Sequence, residues 1–198
     1  VILKQGHPKQ QIPFLNALQE RSKHPLLCTG DAEWGLGMRM EETLSFPRNE
    51  LMGKAKTPFL LFLAGKEIGQ QCRMVGVHLN FAPVVDVNIN PACPVIGGIE
   101  RSFSSHPTTV TAHAAEVIRA NKKLGILCSL KHFPGHGSAK SDSHLGFTDV
   151  SETWQKTELL PYQQLIEQKA VDIIMTAHVF NKKLDPKYPA TLSKKTTH

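Results

Sequence analysis

The residues with the clearest chemical potential lie in one stretch, Lys131-His-Phe-Pro-Gly-His-Gly137 followed by Asp142-Ser-His144. Because Asp142 and His144 are two positions apart, a loop would let the carboxylate accept a hydrogen bond from one imidazole nitrogen. That contact would fix the tautomer of His144 and favour its imidazolium form. The other nitrogen could then give a proton to a leaving group and later take one from water. The pair is therefore a candidate acid/base dyad.

The setting of this pair decides between two interpretations. An isolated Asp-x-His pair more often caps a turn or decorates a surface, since a perturbed site needs more than spacing. Here the pair lies in a connection of about 20 residues between a predicted strand and the next predicted helix, which is long for such a connection. Gly135, Gly137 and Gly146 would let this loop bend, deliver the imidazole and withdraw it for product release. The setting favours catalysis.

The elements that must position these residues alternate along the whole chain. Predicted strands cover Val1 to Lys4, Leu26 to Thr29, His78 to Val87, Leu127 to Lys131 and Asp172 to Thr176. Predicted helices cover Lys9 to Ser22, Phe59 to Met74, Pro107 to Leu124 and Thr153 to Gln168. Short apolar strands followed by amphipathic helices are typical of a parallel sheet built from βα units.

Polar residues at strand ends distinguish two α/β architectures. Asp31 follows the second predicted strand, Asp86 ends the third, Lys131 and His132 end the fourth, and His178 ends the fifth. Such positions form the active sites of (β/α)8 barrels, whereas the G-x-G-x-x-G turn expected in an open doubly wound sheet is absent from the sequence. The sequence therefore predicts an α/β fold of the (β/α)8 TIM-barrel type. Since a barrel has eight strands in about 250 residues, we expect residues 1–198 to be a partial barrel, about strands 2 to 6, truncated at both ends.

Composition argues against several classes of function. The net charge is +6, but the lysines are scattered, so no nucleic-acid surface is predicted. No apolar run reaches the roughly 20 residues that span a bilayer. The four cysteines lack C-x-x-C spacing and are predicted to be buried free thiols. We expect no cofactor and no metal, a metal site of His136, Asp142 and His144 being the weaker alternative.

The chain resembles the bacterial β-N-acetylglucosaminidases (β-N-acetylhexosaminidases) of glycoside hydrolase family 3, in which a loop His replaces the usual carboxylic acid/base. The similarity rests on Lys131 to Gly137 with Asp142-Ser-His144, on Asp31-Ala-Glu-Trp-Gly-Leu-Gly-Met-Arg39, on Asn80-Phe-Ala-Pro-Val-Val-Asp86, on Arg101-Ser-Phe103 and on Thr176-Ala-His178. The resemblance implies that Asp142 and His144 are the dyad. It also implies that the N-acetylglucosamine ring is bound by Asp31, Arg39, Arg101, Lys131 and His132.

Four further side chains have expected supporting or packing roles. Asp86 and His178 end predicted strands and are expected to support the site. Trp154, on a predicted helix, is expected to pack in the core. Trp34 suits either packing or stacking on a sugar face.

The resemblance implies a retaining mechanism in which an Asp attacks the sugar and forms a glycosyl-enzyme. In the family this nucleophile lies in a Ser-Asp-Asp-like motif on the strand after the last one here, and no such motif follows His178. Asp185 precedes Pro186 and is predicted to form a turn. We therefore expect the fragment to be inactive alone and to need the rest of the barrel, because its sheet edges would otherwise be unpaired.

The implied substrate is a small carbohydrate, either an N-acetylglucosaminyl muropeptide from peptidoglycan turnover and recycling or a chitooligosaccharide. Two alternatives stay open. One is a β-N-acetylglucosaminide phosphorylase, because a His acid/base does not repel phosphate; the other is a noncatalytic sugar-binding barrel remnant. The compartment is not determined: the bacterial cytoplasm is preferred, and the Asp-Ala-Glu-Trp loop resembles exported family members, which keeps the periplasm open.

Overall fold

The computed structural model describes residues 1–3 and 5–197, and its secondary structure alternates between strands and helices. The strands are β1 (Ile2–Leu3), β2 (Thr29–Gly30), β3 (Leu79–Asn80), β4 (Leu127–Phe133), β5 (Thr148–Asp149), β6 (Ile173–Thr176) and β7 (Val179–Phe180). The helices are α1 (Pro8–Arg21), α2 (Asn49–Met52), α3 (Phe59–Met74), α4 (Pro107–Lys123), α5 (Leu160–Glu167) and α6 (Lys194–Thr197).

Five strands form the main sheet. β1, β2, β3, β4 and β6 are parallel and lie side by side in their order along the chain, while β5 and β7 form a separate parallel pair. In a doubly wound sheet the strand order reverses at a switch point. Here the order does not reverse, and most strands are followed by a helix. This is the arrangement of a (β/α)8 barrel, as the sequence predicts.

The largest hydrophobic core lies between β4 and the helices that cover the sheet. It includes Leu61 of α3, Val117 of α4, Leu130 of β4 and Tyr162 of α5. α3 and α4 approach closely at Gly65, where an added Cβ would lie 3.0 Å from Val117 Cα. This packing fixes the C-terminal end of β4, from which the Lys131 to Gly137 segment continues.

The predicted helices agree well with the structure at three of four positions. α3 has the predicted bounds, and α1 and α4 agree to within one residue. The α-helix predicted to begin at Thr153 begins only at Leu160, because a capping box formed by Gln155 and Glu158 starts a 3-10 turn before it. The sequence prediction missed the short helices α2 and α6.

The predicted strands are correctly placed but mostly too long. The strand predicted at His78 to Val87 pairs as a ladder only at Leu79–Asn80. Pro83 cannot donate to a ladder, and beyond it Val84 forms only an isolated bridge with Lys131. The second strand is at Thr29–Gly30 rather than from Leu26 to Thr29. Lys4, the last residue of the first predicted strand, lies outside the described residues.

The cysteines behave as small apolar side chains. Cys28, Cys72, Cys93 and Cys128 are buried free thiols, as the sequence predicts. Each belongs to a cluster of buried apolar residues. Within residues 1–3 and 5–197, no helix combines the length and apolar character needed to cross a membrane.

Candidate active site

A cleft of about 620 Å³ opens at the C-terminal ends of the strands. Six of the seven predicted site residues line it, namely Asp31, Arg39, Arg101, Lys131, His132 and His144. The seventh, Asp142, hydrogen bonds to His144 at the rim. The fold therefore brings together side chains that lie far apart in the sequence.

The floor of the cleft is a chain of ion pairs in which positive and negative groups alternate. Asp31 accepts from Arg39 Nη2 at 2.9 Å and from Lys131 Nζ at 2.8 Å. Lys131 Nζ also lies 2.8 Å from Glu33 Oε1. Glu33 in turn binds Arg101 through two bonds, of 2.6 Å from Nη2 and 3.0 Å from Nε. Each internal member of the chain is thus held by two neighbours, which orients its remaining hydrogen-bonding atoms before a ligand arrives.

Glu33 is a site residue that the sequence prediction did not include. Its side chain is fully buried and joins Lys131 to Arg101. Burial opposes its ionisation, but the charges of Lys131 and Arg101 outweigh burial and lower the pKa of Glu33 to about 2. Burial likewise opposes ionisation of Asp31, whose pKa is lowered by Lys131 and Arg39. The available signal was the two-residue spacing of Asp31 and Glu33, which in extended backbone places both carboxylates on one face.

Asp86 is a fully buried carboxylate that supports the site from below. Its Oδ2 accepts from His132 Nδ1 at 2.6 Å and from His132 N at 3.2 Å, while Oδ1 accepts from His136 N at 2.8 Å. Burial lowers the pKa of His132 and outweighs the opposite effect of Asp86, which favours the neutral imidazole. Because Nδ1 carries the proton, Nε2 accepts from Arg101 Nη2 at 3.3 Å. These contacts agree with the expectation that Asp86 supports the site.

The turn from Lys131 to Gly137 is tightly packed. A Cβ at Gly137 would overlap the carbonyl oxygen of Val87, and one at Gly135, where φ is +121°, would lie 2.7 Å from Glu158 Cβ. These two glycines permit close approach of the backbone, so their interpretation as hinges is wrong. Gly146 has φ +153° and no atom within 4 Å of an added Cβ. It lies in open space, where bending is sterically allowed.

Asp142 and His144 lie on the exposed segment between that turn and β5. Asp142 Oδ1 accepts from His144 N and from His144 Nδ1, both at 2.8 Å. The backbone N–H of His144 is the main cause of the lowered pKa of Asp142. The side chain of His144 is 73% exposed. With Nδ1 held by Asp142, Nε2 is the nitrogen placed to exchange a proton with a ligand.

The other residues singled out in the sequence have definite places. His178 and Trp34 line the cleft. Trp154 packs in the core and donates from Nε1 to Pro134 O at 3.0 Å, which confirms the packing interpretation. Asp185 accepts from Lys187 N at 2.8 Å and from Ser193 Oγ at 2.7 Å, which confirms its turn.

The candidate metal ligands do not converge. In the described part of the chain, no three His, Cys, Asp or Glu side chains are arranged to hold a metal ion. His136 Nε2 is instead 2.9 Å from Ser143 Oγ. The absence of a cofactor stays a prediction.

Glu158 lies beneath the turn and makes stability depend on pH. Burial raises the pKa of Glu158 from 4.5 to about 7, against the opposing effect of the hydrogen bond that Glu158 accepts from the backbone N–H of Gln155. The folded state therefore binds more protons than the unfolded state between these values, so the free energy of unfolding falls as pH rises through them. We expect Glu158→Gln to remove this fall. The free energy of unfolding of the variant, relative to that of the wild type, should therefore be higher at pH 8 than at pH 5 by about 2–3 kcal/mol.

Urea unfolding of the full-length protein at pH 5 and pH 8 measures this difference. Glu167→Gln is the matched control, because Glu167 is exposed on the adjacent helix α5. Equal pH dependence in wild type and Glu158→Gln would contradict the prediction.

Comparison with known proteins places this cleft in a family. Residues 8–197 match the model of the glycosyl hydrolase family 3 N terminal domain. Beta-hexosaminidase A of Pseudoalteromonas piscicida is 37% identical over 189 residues, which cover 89% of this chain and 31% of that protein. This chain thus spans less than a third of the length of that relative.

Solved structures give the same result. A glycoside hydrolase family 3 β-N-acetylglucosaminidase from Paenibacillus sp. str. FPU-7 is 35% identical with a TM-score of 0.87, over 96% of this chain and 37% of that one. The β-glucoside phosphorylase BglX is 26% identical with a TM-score of 0.90, over 99% of this chain and 38% of that one. The match of nearly the whole chain to the family model, together with these shared folds, shows that this chain belongs to glycoside hydrolase family 3, as part of its N-terminal barrel domain.

Proposed function

We propose that the protein containing this chain is a retaining glycosidase that removes β-linked N-acetylglucosamine. The observation that carries the proposal is a fixed, ion-paired cleft floor facing an exposed Asp-x-His dyad. Asp31 can accept from sugar hydroxyls, while Arg39 and Lys131 can donate to them. Such bonds fix the ring and strengthen as it distorts toward an oxocarbenium-like transition state. The β-N-acetylglucosaminidase among the similar structures supports the same chemistry.

In this proposal Arg101 and His132 also bind the sugar ring, and Asp142 and His144 carry out the proton transfers. His144 Nε2 donates a proton to the leaving oxygen and becomes neutral imidazole, and Asp142 stabilises the imidazolium that exists before that step. Imidazole then takes a proton from the water that releases the sugar from the glycosyl-enzyme.

The barrel and the nucleophile are proposed to be completed by residues outside this sequence. β1 and β6 are the terminal strands of the main sheet and each has one unpaired edge among the described residues. The chain covers 31% of one relative and 37% of one similar structure, which leaves room for further strands in proteins of this kind. Residues 1–198 are accordingly proposed to be a partial catalytic domain that is inactive alone and needs the rest of the barrel.

The finer proposal concerns the substrate. An N-acetylglucosaminyl muropeptide from peptidoglycan turnover and a chitooligosaccharide present the same β-linked ring to the cleft floor. The floor residues therefore indicate which sugar ring is bound rather than which group is attached to that ring. Comparing kcat/KM for the two substrates decides between them.

The test is His144→Ala in the full-length protein, assayed with 4-nitrophenyl N-acetyl-β-D-glucosaminide. We expect kcat/KM to fall about 100-fold, because formation of the glycosyl-enzyme loses its proton donor. His24→Ala is the control, since His24 is exposed and outside the cleft. An active protein whose rate is unaffected by His144→Ala would remove His144 from catalysis.

A second candidate is a β-N-acetylglucosaminide phosphorylase, favoured by the similarity to the phosphorylase BglX. A His acid/base carries no negative charge that would repel phosphate. Formation of N-acetylglucosamine 1-phosphate on addition of phosphate would identify this activity. Binding of sugar without turnover by the full-length protein would instead favour a noncatalytic barrel.

A further inference from the structure

We propose that His136 is a positioning residue that holds the acid/base dyad in place through Ser143. His136 Nε2 and Ser143 Oγ form a hydrogen bond of 2.9 Å. Ser143 is the residue between Asp142 and His144, so its position sets the position of both members of the dyad. The inference rests on the proposed function, because it assigns a role within the same site.

His136 is a rigid point of attachment. Its residue surface is 3% exposed, its N–H donates to Asp86 Oδ1 at 2.8 Å, and its carbonyl oxygen accepts from Cys93 Sγ at 3.4 Å. The other oxygen of Asp86 binds His132 in the cleft floor, and the rings of His132 and His136 lie edge to face with centroids 6.1 Å apart. These contacts thereby fix the position of the dyad relative to the residues that are proposed to bind the sugar.

The dyad segment, residues 140–147, has few other attachments, and one of them is the bond of 3.0 Å between Ser141 Oγ and Thr148 Oγ1. His144, Leu145 and Phe147 are highly exposed, Leu145 at 88%. For residues 142–146, the bond between Ser143 and His136 is the one side-chain hydrogen bond to the rest of the described chain. A proton donor must lie within hydrogen-bond reach of the leaving oxygen, and small misplacements cost large factors in rate. The position of His144 therefore depends on this bond.

The test compares two leaving groups in the full-length protein carrying Ser143→Ala. With phenyl N-acetyl-β-D-glucosaminide, whose poor leaving group needs a proton, we expect kcat/KM to fall about 10-fold. With the 2,4-dinitrophenyl glycoside, whose leaving group departs as an anion, we expect little change. Ser143→Thr keeps the hydroxyl and should restore the wild-type rate. Ser105→Ala is the control, because Ser105 is exposed and outside the cleft.

A readout independent of turnover separates this inference from the proposed function. Hydrogen–deuterium exchange of residues 139–148 should become faster in Ser143→Ala and in His136→Ala, and the double variant should exchange no faster than His136→Ala. Unchanged exchange, or an equal loss of kcat/KM with both leaving groups, would overturn the positioning role. A wild-type protein that cleaves neither glycoside would overturn the proposed function. The hydrogen–deuterium exchange measurement would then still test, without any activity, whether the bond between His136 and Ser143 holds the dyad segment in place.

Discussion

Glu33→Ala is expected to lower the free energy of unfolding by about 3–5 kcal/mol, because it leaves two buried cations without their shared carboxylate. Lys131 Nζ and Arg101 Nη2 lie 2.8 and 2.6 Å from Glu33 Oε1. The loss is a large fraction of the whole stability of a typical domain, about 5–15 kcal/mol. Urea unfolding at pH 7 of the full-length protein measures it.

The pH dependence of this effect follows from the pKa of Glu33. Since that pKa is about 2 in the folded protein and 4.5 ordinarily, the stabilisation is present above pH 4.5 and is lost as pH falls toward 2. The exposed Glu20 on α1 offers the control Glu20→Ala. A loss for Glu33→Ala no larger than that of the control would refute the role of Glu33 as the shared counter-ion.

Asp86→Ala is expected to lower kcat/KM of the full-length protein about 1000-fold, equivalent to about 4 kcal/mol of transition-state stabilisation. Asp86 accepts three hydrogen bonds, two from His132 and one from the backbone N–H of His136. Bonds to a charged acceptor contribute about 1.5–3 kcal/mol each. Their loss would release both the imidazole of His132, which is proposed to bind the sugar ring, and the turn that carries His136.

The measurement is steady-state kinetics with 4-nitrophenyl N-acetyl-β-D-glucosaminide, together with thermal unfolding to verify that the variant is folded. Asp172→Ala is the control, because Asp172 precedes β6 and accepts from Cys128 N at the opposite end of the sheet from the cleft. A folded Asp86→Ala variant that keeps the wild-type kcat/KM would show that Asp86 does not organise the site.

The sequence was sufficient for the parts of the site that follow strands directly. Asp31, Lys131 and His132 could be recognised from the linear sequence alone, because a polar residue at the end of an apolar strand faces the mouth of a barrel. The Asp142 and His144 contact is local and follows from their two-residue spacing. These predictions needed no knowledge of distant contacts.

The remaining features depend on residues that only the fold brings together. Glu33 gains its role from Arg101, 68 positions away. The function of Gly137 was misread because its steric constraint comes from the Val87 carbonyl, on another part of the chain. β5 and β7, of two residues each, are too short to show periodicity, and no longer apolar run marks them as the runs around β1, β2 and β3 mark those ladders.

The exposed dyad segment also has a meaning for protein engineering. It leaves the body of the domain after the buried Ala139 and returns at the buried Thr148, while the residues of the cleft floor all lie outside it. Under the proposed function, sugar recognition and proton transfer are therefore encoded in separable stretches of sequence. A short cassette exchanged between family members at these two junctions is then expected to alter proton transfer and to leave the proposed sugar-binding floor unchanged.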